Sequence, residues 1–346
     1  MDLNHAVTWQ ASSQWPRIVC IDAHTAGEPL RVVVDGFPDL TKGAVLDVRR
    51  YVRDHHDHLR KMLMWEPRGH ADMYGCLVMP SATADADFGV LFLHNEGYST
   101  MCGHGIIAIV TVVLETGVMP ITGSETEIRI DTPAGLVIAR GHTRDGRVEK
   151  VTFTNVPSYV EGLDEYISIP GLGKVRYDLA FGGAYYAFVN AADVGLDCTP
   201  ANYRALIDTG MAIKRAIAKS RTISHPTDED LGFLYGTIFT APATTKGVHS
   251  RNVCVFADGE VDRSPTGTGV SARAAIYHAR GKIELGNWIE IESIIGSRFR
   301  VRAVSEDSFG GHDAIIPEVE GRAFITGRHE FVMDPADPMS TGFLLR

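Results

Sequence analysis

A cysteine between glycines is the first feature of this chain that could carry out chemistry. Residues 99–108 read Ser-Thr-Met-Cys-Gly-His-Gly-Ile-Ile-Ala, so Cys102 precedes a run that we expect to form a helix. The first turn of a helix has unpaired N–H groups and a partial positive charge, which bind carboxylates and favour a thiolate over a thiol. Cys102 is therefore a candidate base beside a candidate carboxylate site. Taken alone, a lone cysteine is more often a buried structural residue.

The same pattern occurs again half a chain later, in Pro-Thr-Gly-Thr-Gly-Val-Ser-Ala at 265–272. The aligned pairs are Cys102 with Thr266, Gly103 with Gly267, His104 with Thr268, Gly105 with Gly269 and Ala108 with Ala272. One short glycine motif is weak evidence, but two copies at this separation indicate a duplicated unit. We expect both copies to face one ligand.

Four further segments are distinctive: Asp-Ala-His-Thr-Ala-Gly-Glu-Pro at 22–29, Glu-Pro-Arg-Gly-His at 66–70, His-Asn-Glu-Gly-Tyr at 94–98 and Asp-Thr-Pro-Ala-Gly at 131–135. The second glycine motif is itself preceded by Asp262-Arg263-Ser264. With these motifs, nearly the whole chain resembles the proline racemase family of cofactor-independent racemases, epimerases and dehydratases.

The resemblance implies an α+β fold of two pseudo-symmetric lobes. Each lobe would be a curved, mostly antiparallel sheet around a central helix, with the active site in the cleft between the lobes. We place residues 17–157 and about 321–346 in the first lobe, with Cys102, and residues 158–320 in the second, with Thr266. Residues 1–16 would form an N-terminal extension.

The resemblance also implies the substrate contacts. The backbone N–H groups of Gly103 and His104, with those of Gly267 and Thr268, would bind the substrate carboxylate. Asp262 would bind the ring ammonium. We expect neither a cofactor nor a metal.

The chain departs from the racemases of the family at one position. Those enzymes carry a cysteine in both repeats, whereas residue 266 is threonine here. A threonine hydroxyl is too weak an acid and base to exchange a proton on the second face of the α-carbon. Within the family, a Cys/Thr pair resembles the members that dehydrate trans-3-hydroxy-L-proline.

Stereochemistry allows a single residue to carry out this dehydration. In trans-3-hydroxy-L-proline the α-hydrogen and the hydroxyl lie on the same face of the ring, so loss of water is syn. We therefore expect Cys102 to remove the proton and return it to the leaving oxygen, with Thr266 as a filler or hydrogen-bond partner. The product would be Δ2-pyrroline-2-carboxylate, which tautomerises to the Δ1 form.

Three other interpretations stay open. The first is a proline racemase or 4-hydroxyproline 2-epimerase with an unusual second acid. The second is a non-catalytic amino-acid-binding protein that has lost one cysteine. The third is a metal enzyme that uses His24, His70, His94 and His104, although no metal-ligand spacing supports it.

Apolar spacing predicts a helix over about 43–64, with a buried face at Val45, Val48, Val52, Leu59, Met62 and Leu63. Residues 105–115 are ambiguous, because their β-branched content favours a strand while their length and the preceding glycine turn favour a helix. The fold that the family resemblance implies has a helix at residues 105–115. Further helices are expected at 201–219 and 268–280.

Composition limits the class of protein. The 346 residues carry a net charge of −10, which argues against nucleic acid or an anionic membrane as a partner. Five scattered cysteines without metal-ligand spacing fit a reducing compartment, and the first sixteen residues lack the apolar run of a secretory signal. We therefore expect a cytoplasmic protein with a small-molecule substrate, hydroxyproline, and leave a homodimer open.

Overall fold

The computed structural model describes residues 1–40 and 43–345, and five α-helices lie within this part of the chain. They are α1 (Asn4–Val7), α2 (Val45–Met64), α3 (Gly103–Glu115), α4 (Tyr203–Ser220) and α5 (Gly267–Ala279). Single-turn 3-10 helices cover Ala191–Val194, Pro200–Asn202 and Glu229–Leu231. The four helices expected from the sequence are confirmed, with ends within two residues of those predicted.

Seventeen β-strands run between these helices in the described residues. Those before α3 are β1 (Arg17–Thr25), β2 (Glu28–Asp35), β3 (Tyr74–Met79) and β4 (Phe88–His94). Those between α3 and α4 are β5 (Glu125–Thr132), β6 (Gly135–Arg144), β7 (Arg147–Thr154), β8 (Ser158–Ile169), β9 (Gly173–Phe181) and β10 (Tyr185–Asn190). The rest are β11 (Leu234–Ala241), β12 (Ser250–Phe256), β13 (Glu260–Val261), β14 (Ile289–Glu292), β15 (Arg298–Phe309), β16 (His312–Gly321) and β17 (Ala323–Val332).

The order of strand pairings repeats once along the chain. β2 pairs in parallel with β3, β3 antiparallel with β4, and β4 in parallel with β5, after which β5, β6 and β7 are antiparallel neighbours. Strands β10, β11, β12, β14, β15 and β16 repeat the same series of pairings. Parallel neighbours need a crossover, which α2 and α3 supply in the first unit and α4 and α5 in the second. The duplication inferred from the two glycine motifs therefore extends to the topology.

The two repeat units share one sheet. β16 of the second unit pairs with β7 of the first, and also with β8. The last strand, β17, returns to pair with β1 over Arg17–Thr25. The described strands thus form one connected, mixed sheet, which differs from the two separate sheets expected from the sequence. The physical reason is that β16 offers hydrogen-bonding edges to both units.

Helix α3 is buried on every side. All its residues from Gly103 to Leu114 are buried, and so are those of α5 from Gly267 to Ile276. Burying a large aliphatic side chain contributes about 1.5–3 kcal/mol, whereas a β-branched residue costs a helix only about 0.5 kcal/mol relative to alanine. Burial therefore outweighs local propensity, and the ambiguous segment is a helix.

Helix α2 packs on the outside of the sheet with the predicted face. The six apolar positions expected to point inward are all buried.

No helix within residues 1–40 and 43–345 has both the length and the apolar character needed to cross a bilayer.

Candidate active site

Cys102 caps the N-terminus of α3. Its backbone is extended, with φ −144° and ψ 107°, and its Sγ atom accepts a hydrogen bond from the backbone N–H of Gly105 at 3.2 Å. The thiol is thus placed beside the first turn of a buried helix, where the N–H groups of residues 103 and 104 have no acceptor within the helix.

Thr266 caps α5 in the equivalent position but in a different conformation. Its φ of +69° lies in the left-handed region, where a β-branched residue is strained. Its own N–H donates to the Ser264 hydroxyl at 3.1 Å. The Thr266 hydroxyl is buried and has no hydrogen-bonding partner among the described residues beyond a weak contact with the thiol of Cys254. The side chain is therefore held with an unsatisfied hydroxyl at the cavity wall.

The N-termini of α3 and α5 meet at one small cavity of about 20 Å³. All seven site residues proposed from the sequence line it: Cys102, Gly103, His104, Asp262, Thr266, Gly267 and Thr268. Residues 102 and 266, separated by half the chain, thus line one small cavity. Its volume is roughly that of one water molecule, so the surrounding elements must separate before an amino acid can enter.

The His104 side chain contacts the candidate base, a contact that the sequence did not indicate. Its Nδ1 lies 3.1 Å from the Cys102 Sγ, and its Nε2 lies 3.2 Å from the Pro29 carbonyl oxygen. A carbonyl accepts only, so Nε2 carries the proton and Nδ1 presents a lone pair to the thiol. Burial lowers the pKa of His104, with the charge of Asp262 opposing this effect. The imidazole is therefore a neutral acceptor for the thiol proton.

The protonation state of Cys102 differs from the sequence-based expectation. Burial raises the pKa of this thiol well above its ordinary value of 9.0. The hydrogen bond from Gly105 lowers it, whereas the charge of Asp262 raises it further. The helix terminus does favour the thiolate, but loss of hydration outweighs it. Cys102 is consequently a thiol at neutral pH while the cavity is closed.

Asp262 brings a carboxylate to the cavity. It follows β13 and is 4 % exposed, and its Oδ1 accepts a hydrogen bond from the Ser264 N–H at 2.7 Å. A buried carboxylate this close to the cavity is suited to a cationic ligand group, because each charge offsets the other's loss of water.

Several cavity residues were not identified from the sequence: Tyr74, Met101, Tyr186, Tyr235, Cys254 and Phe256. The Tyr74 hydroxyl lies 3.3 Å from that of Tyr235, and the Tyr186 hydroxyl lies 2.7 Å from Thr268 Oγ1. The three tyrosines come from separate strands, β3, β10 and β11, so no spacing in the chain connects them. Met101 had a local signal, because it directly precedes Cys102 within the first glycine motif.

The four histidines considered as metal ligands are dispersed. Only His104 is among the residues that line the cavity. His94 Nδ1 lies 3.4 Å from Glu260 Oε1, and its ring packs against Tyr74. Within the described part of the chain, no group of three or more histidine, cysteine, aspartate or glutamate side chains is placed to bind a metal ion.

Known proteins similar to this chain include some named as hydroxyproline dehydratases and one named as a hydroxyproline epimerase. The chain is 46 % identical to a trans-3-hydroxy-L-proline dehydratase of Colwellia psychrerythraea, over 94 % of this chain and 92 % of that protein. It is also 46 % identical to the human protein of the same name, over 96 % of this chain and 95 % of that one. A hydroxyproline epimerase from Agrobacterium vitis, solved with bound trans-4-hydroxy-L-proline, superposes with a TM-score of 0.90 at 34 % identity, covering 95 % of this chain and 96 % of that one.

The family assignment covers almost the entire sequence. The model of the family described as proline racemase matches residues 20–344, which include both glycine motifs and both helix caps. This chain belongs to the proline racemase family.

Proposed function

We propose that this protein is a hydro-lyase that removes water from trans-3-hydroxy-L-proline to give Δ2-pyrroline-2-carboxylate, which tautomerises to the Δ1 form. One observation carries the proposal: of the two helix caps that share the cavity, one holds the thiol of Cys102 and the other holds only the hydroxyl of Thr266. Relatives at 46 % identity that bear the name of this activity support it.

Charge complementarity would orient the substrate. Its carboxylate would lie between the N-termini of α3 and α5 and accept hydrogen bonds from the N–H groups of Gly103, His104, Gly267 and Thr268. Its ring ammonium would pair with Asp262. Negative charge that develops on the carboxylate as the α-proton leaves would then be stabilised by fixed N–H dipoles in a site from which water is excluded.

Proton removal would begin with the Cys102–His104 pair. Transfer of the thiol proton to Nδ1 of His104 gives a thiolate and an imidazolium 3.1 Å apart, with no change in net charge. The thiolate then takes the α-hydrogen of the substrate. The route gives the thiol a proton acceptor within hydrogen-bonding distance. In the closed cavity the raised pKa of Cys102 and the lowered pKa of His104 both oppose the transfer, so the ion pair is a minor species that the reaction draws on.

Elimination would follow on the same face of the ring. The electron pair left by the α-proton forms the C2–C3 double bond as the C3–O bond breaks. The proton held by Cys102 goes to the leaving oxygen, so that one water molecule is released and the thiolate is regenerated. Thr266 transfers no proton in this scheme.

The repeat units would act as the two lobes expected from the sequence, with residues 17–157 and 321–346 in one and 158–320 in the other. The duplicated strand pairings and the position of the cavity at the junction of α3 and α5 support this division. Polar contacts across the boundary would hold the closed state. Arg50 binds Asp230 at 2.8 Å, and Arg263 binds Asp72 at 2.6 Å.

The direct test is incubation of the purified protein with trans-3-hydroxy-L-proline, and separately with L-proline and trans-4-hydroxy-L-proline. We expect a pyrroline adduct with o-aminobenzaldehyde from the first substrate only. Cys102→Ser should remain folded and form no adduct, and pretreatment with a chelator should leave the wild-type rate unchanged.

Other outcomes would contradict the proposal. An inverted product on a chiral column without pyrroline would identify an epimerase, which the solved relative from Agrobacterium vitis makes the second candidate. Saturable binding without turnover or α-deuterium exchange would identify a binding protein.

A further inference from the structure

A second cavity, of about 250 Å³, is lined by the C-terminal half of α5 and by strands β8 to β11, and it shares no lining residue with the active site. Two of its residues, Arg273 and Tyr277, lie on one face of α5 at a spacing of four, and Arg280 is the C-cap of the same helix. Its charged lining residues are Asp164, Arg176, Asp178, Arg273, Arg280 and Lys282. Four cations therefore face two carboxylates, in a protein whose net charge is −10.

The two carboxylates of this cavity are already paired. Arg280 donates to both oxygens of Asp164 at 3.1 Å and to Asp178 at 2.7 Å. Arg176 lies 3.6 Å from Asp164 and 3.6 Å from Asp193. These contacts neutralise two of the four cations and leave Arg273 and Lys282 without a salt bridge in the described part of the chain.

Arg273 is the unusual member, because it is only 6 % exposed. Its Nη1 donates to the Arg251 carbonyl oxygen at 3.2 Å and to the side-chain oxygen of Asn252. Its guanidinium carbon lies 5.0 Å from the centre of the Tyr277 ring. Every one of these partners is neutral, whereas arginines buried to this degree are almost always paired with an anion.

The surrounding potential is also positive. Burial lowers the pKa of Arg273, with Tyr277 opposing the effect. Burial also lowers the pKa of the neighbouring His249, and the charges of Arg273 and Lys282 lower it further. The charges of Arg273 and Lys282 thus reach His249, and Lys282 adds to the effect by which Arg280 lowers the pKa of Asp164.

We propose that this cavity is a binding site for a small oxyanion, a phosphate or a carboxylate, held by Arg273 from within and Lys282 at the edge. The anion would supply the counter-charge that Arg273 lacks. Tyr277 provides an aromatic wall, and the volume exceeds that of a bare phosphate, so the anionic group would belong to a larger ligand. This site is independent of the dehydratase proposal.

Isothermal titration calorimetry at low ionic strength tests the proposal with inorganic phosphate and succinate as probes. The active site is first saturated with trans-4-hydroxy-L-proline, the ligand bound in the solved relative from Agrobacterium vitis, so that heat reports the second cavity. We expect binding of at least one probe, and tighter binding of phosphate than of succinate would identify the ligand as a phosphate. Lys282→Glu should weaken binding by about tenfold or more, because it reverses an exposed charge at the cavity edge.

Lys246→Glu is the matched control, since Lys246 is exposed and lies outside the cavity. Arg273→Met should abolish binding, and its thermal unfolding is measured in parallel because the side chain is buried. The proposal is overturned if neither probe binds wild-type protein, or if Lys282→Glu and Lys246→Glu bind equally well. Arg273 would then be a structural residue satisfied by neutral acceptors.

Discussion

Gly103 and Gly267 touch backbone to backbone at the point where the two duplicated helices meet. A Cβ atom built on either glycine would lie 2.5 Å from the Cα of the other. The requirement for glycine here is steric, since neither residue has positive φ. This contact brings two helix N-termini close enough to act on one carboxylate.

Gly267→Ala should therefore damage both stability and activity. A methyl group at this contact must push α3 and α5 apart, at a cost of about 1–3 kcal/mol, and move the N–H groups away from the substrate carboxylate. Gly43→Ala is the control, because a Cβ there meets nothing within 4 Å. Thermal unfolding and kcat/KM are measured for both, and equal effects of the two substitutions would refute the steric argument.

The acid limb of the pH–rate profile reports the His104 side chain. Burial lowers its pKa from the ordinary 6.5, so the imidazole stays neutral and able to accept the Cys102 proton to a lower pH than a free histidine would. We expect kcat/KM to fall on acidification with a midpoint below pH 6.5. His104→Asn should reduce kcat more than it changes KM. An acid midpoint above 6.5 would contradict the assignment of His104 as acceptor.

Thr266→Cys should separate dehydration from proton exchange. The new thiol would provide an acid and base on the second face of the α-carbon, so we expect solvent deuterium to enter L-proline on that face with inversion to D-proline, while much of the dehydration persists. Thr266→Ala should also retain dehydration. Loss of dehydration in a folded Thr266→Ala protein would show that the hydroxyl takes part in the chemistry.

Glu28 should make stability depend on pH. This side chain is fully buried, and burial, followed by the charge of Asp262, raises its pKa well above the ordinary 4.5. Above pH 4.5 the unfolded chain releases a proton that the folded protein keeps. The free energy of unfolding therefore falls as pH rises, by up to about 1.4 kcal/mol per pH unit.

Glu28→Gln removes this titration while preserving the shape and the acceptor for the Arg263 N–H. Relative to wild type, the variant should gain stability between pH 5 and pH 8 in denaturant unfolding. Exposed Glu284→Gln is the control and should show no such trend. A difference between Glu28→Gln and wild type that is constant with pH would show that Glu28 is already ionised in the folded protein.

Short-range patterns in the sequence were enough to predict helix α2 and the two glycine motifs. The periodic apolar face of α2 needs no tertiary information, because it repeats within one helix. The paired glycine motifs, which reflect a duplication, predicted that Cys102 and Thr266 face one ligand, and both residues line one cavity. The helical state of α3 was ambiguous locally, because its β-branched residues become favourable in a helix only when the sheet buries them.

The tertiary structure alone decided the electrostatics and the walls of the site. Cys102 stands at a helix N-terminus that the sequence identified, yet its pKa is raised, because burial depends on groups brought from the whole chain. The aromatic wall of Tyr74, Tyr186 and Tyr235 comes from three strands that no local spacing relates. The sequence by itself thus determined which groups carry the chemistry, while long-range packing determined their hydration, their partners and hence their protonation.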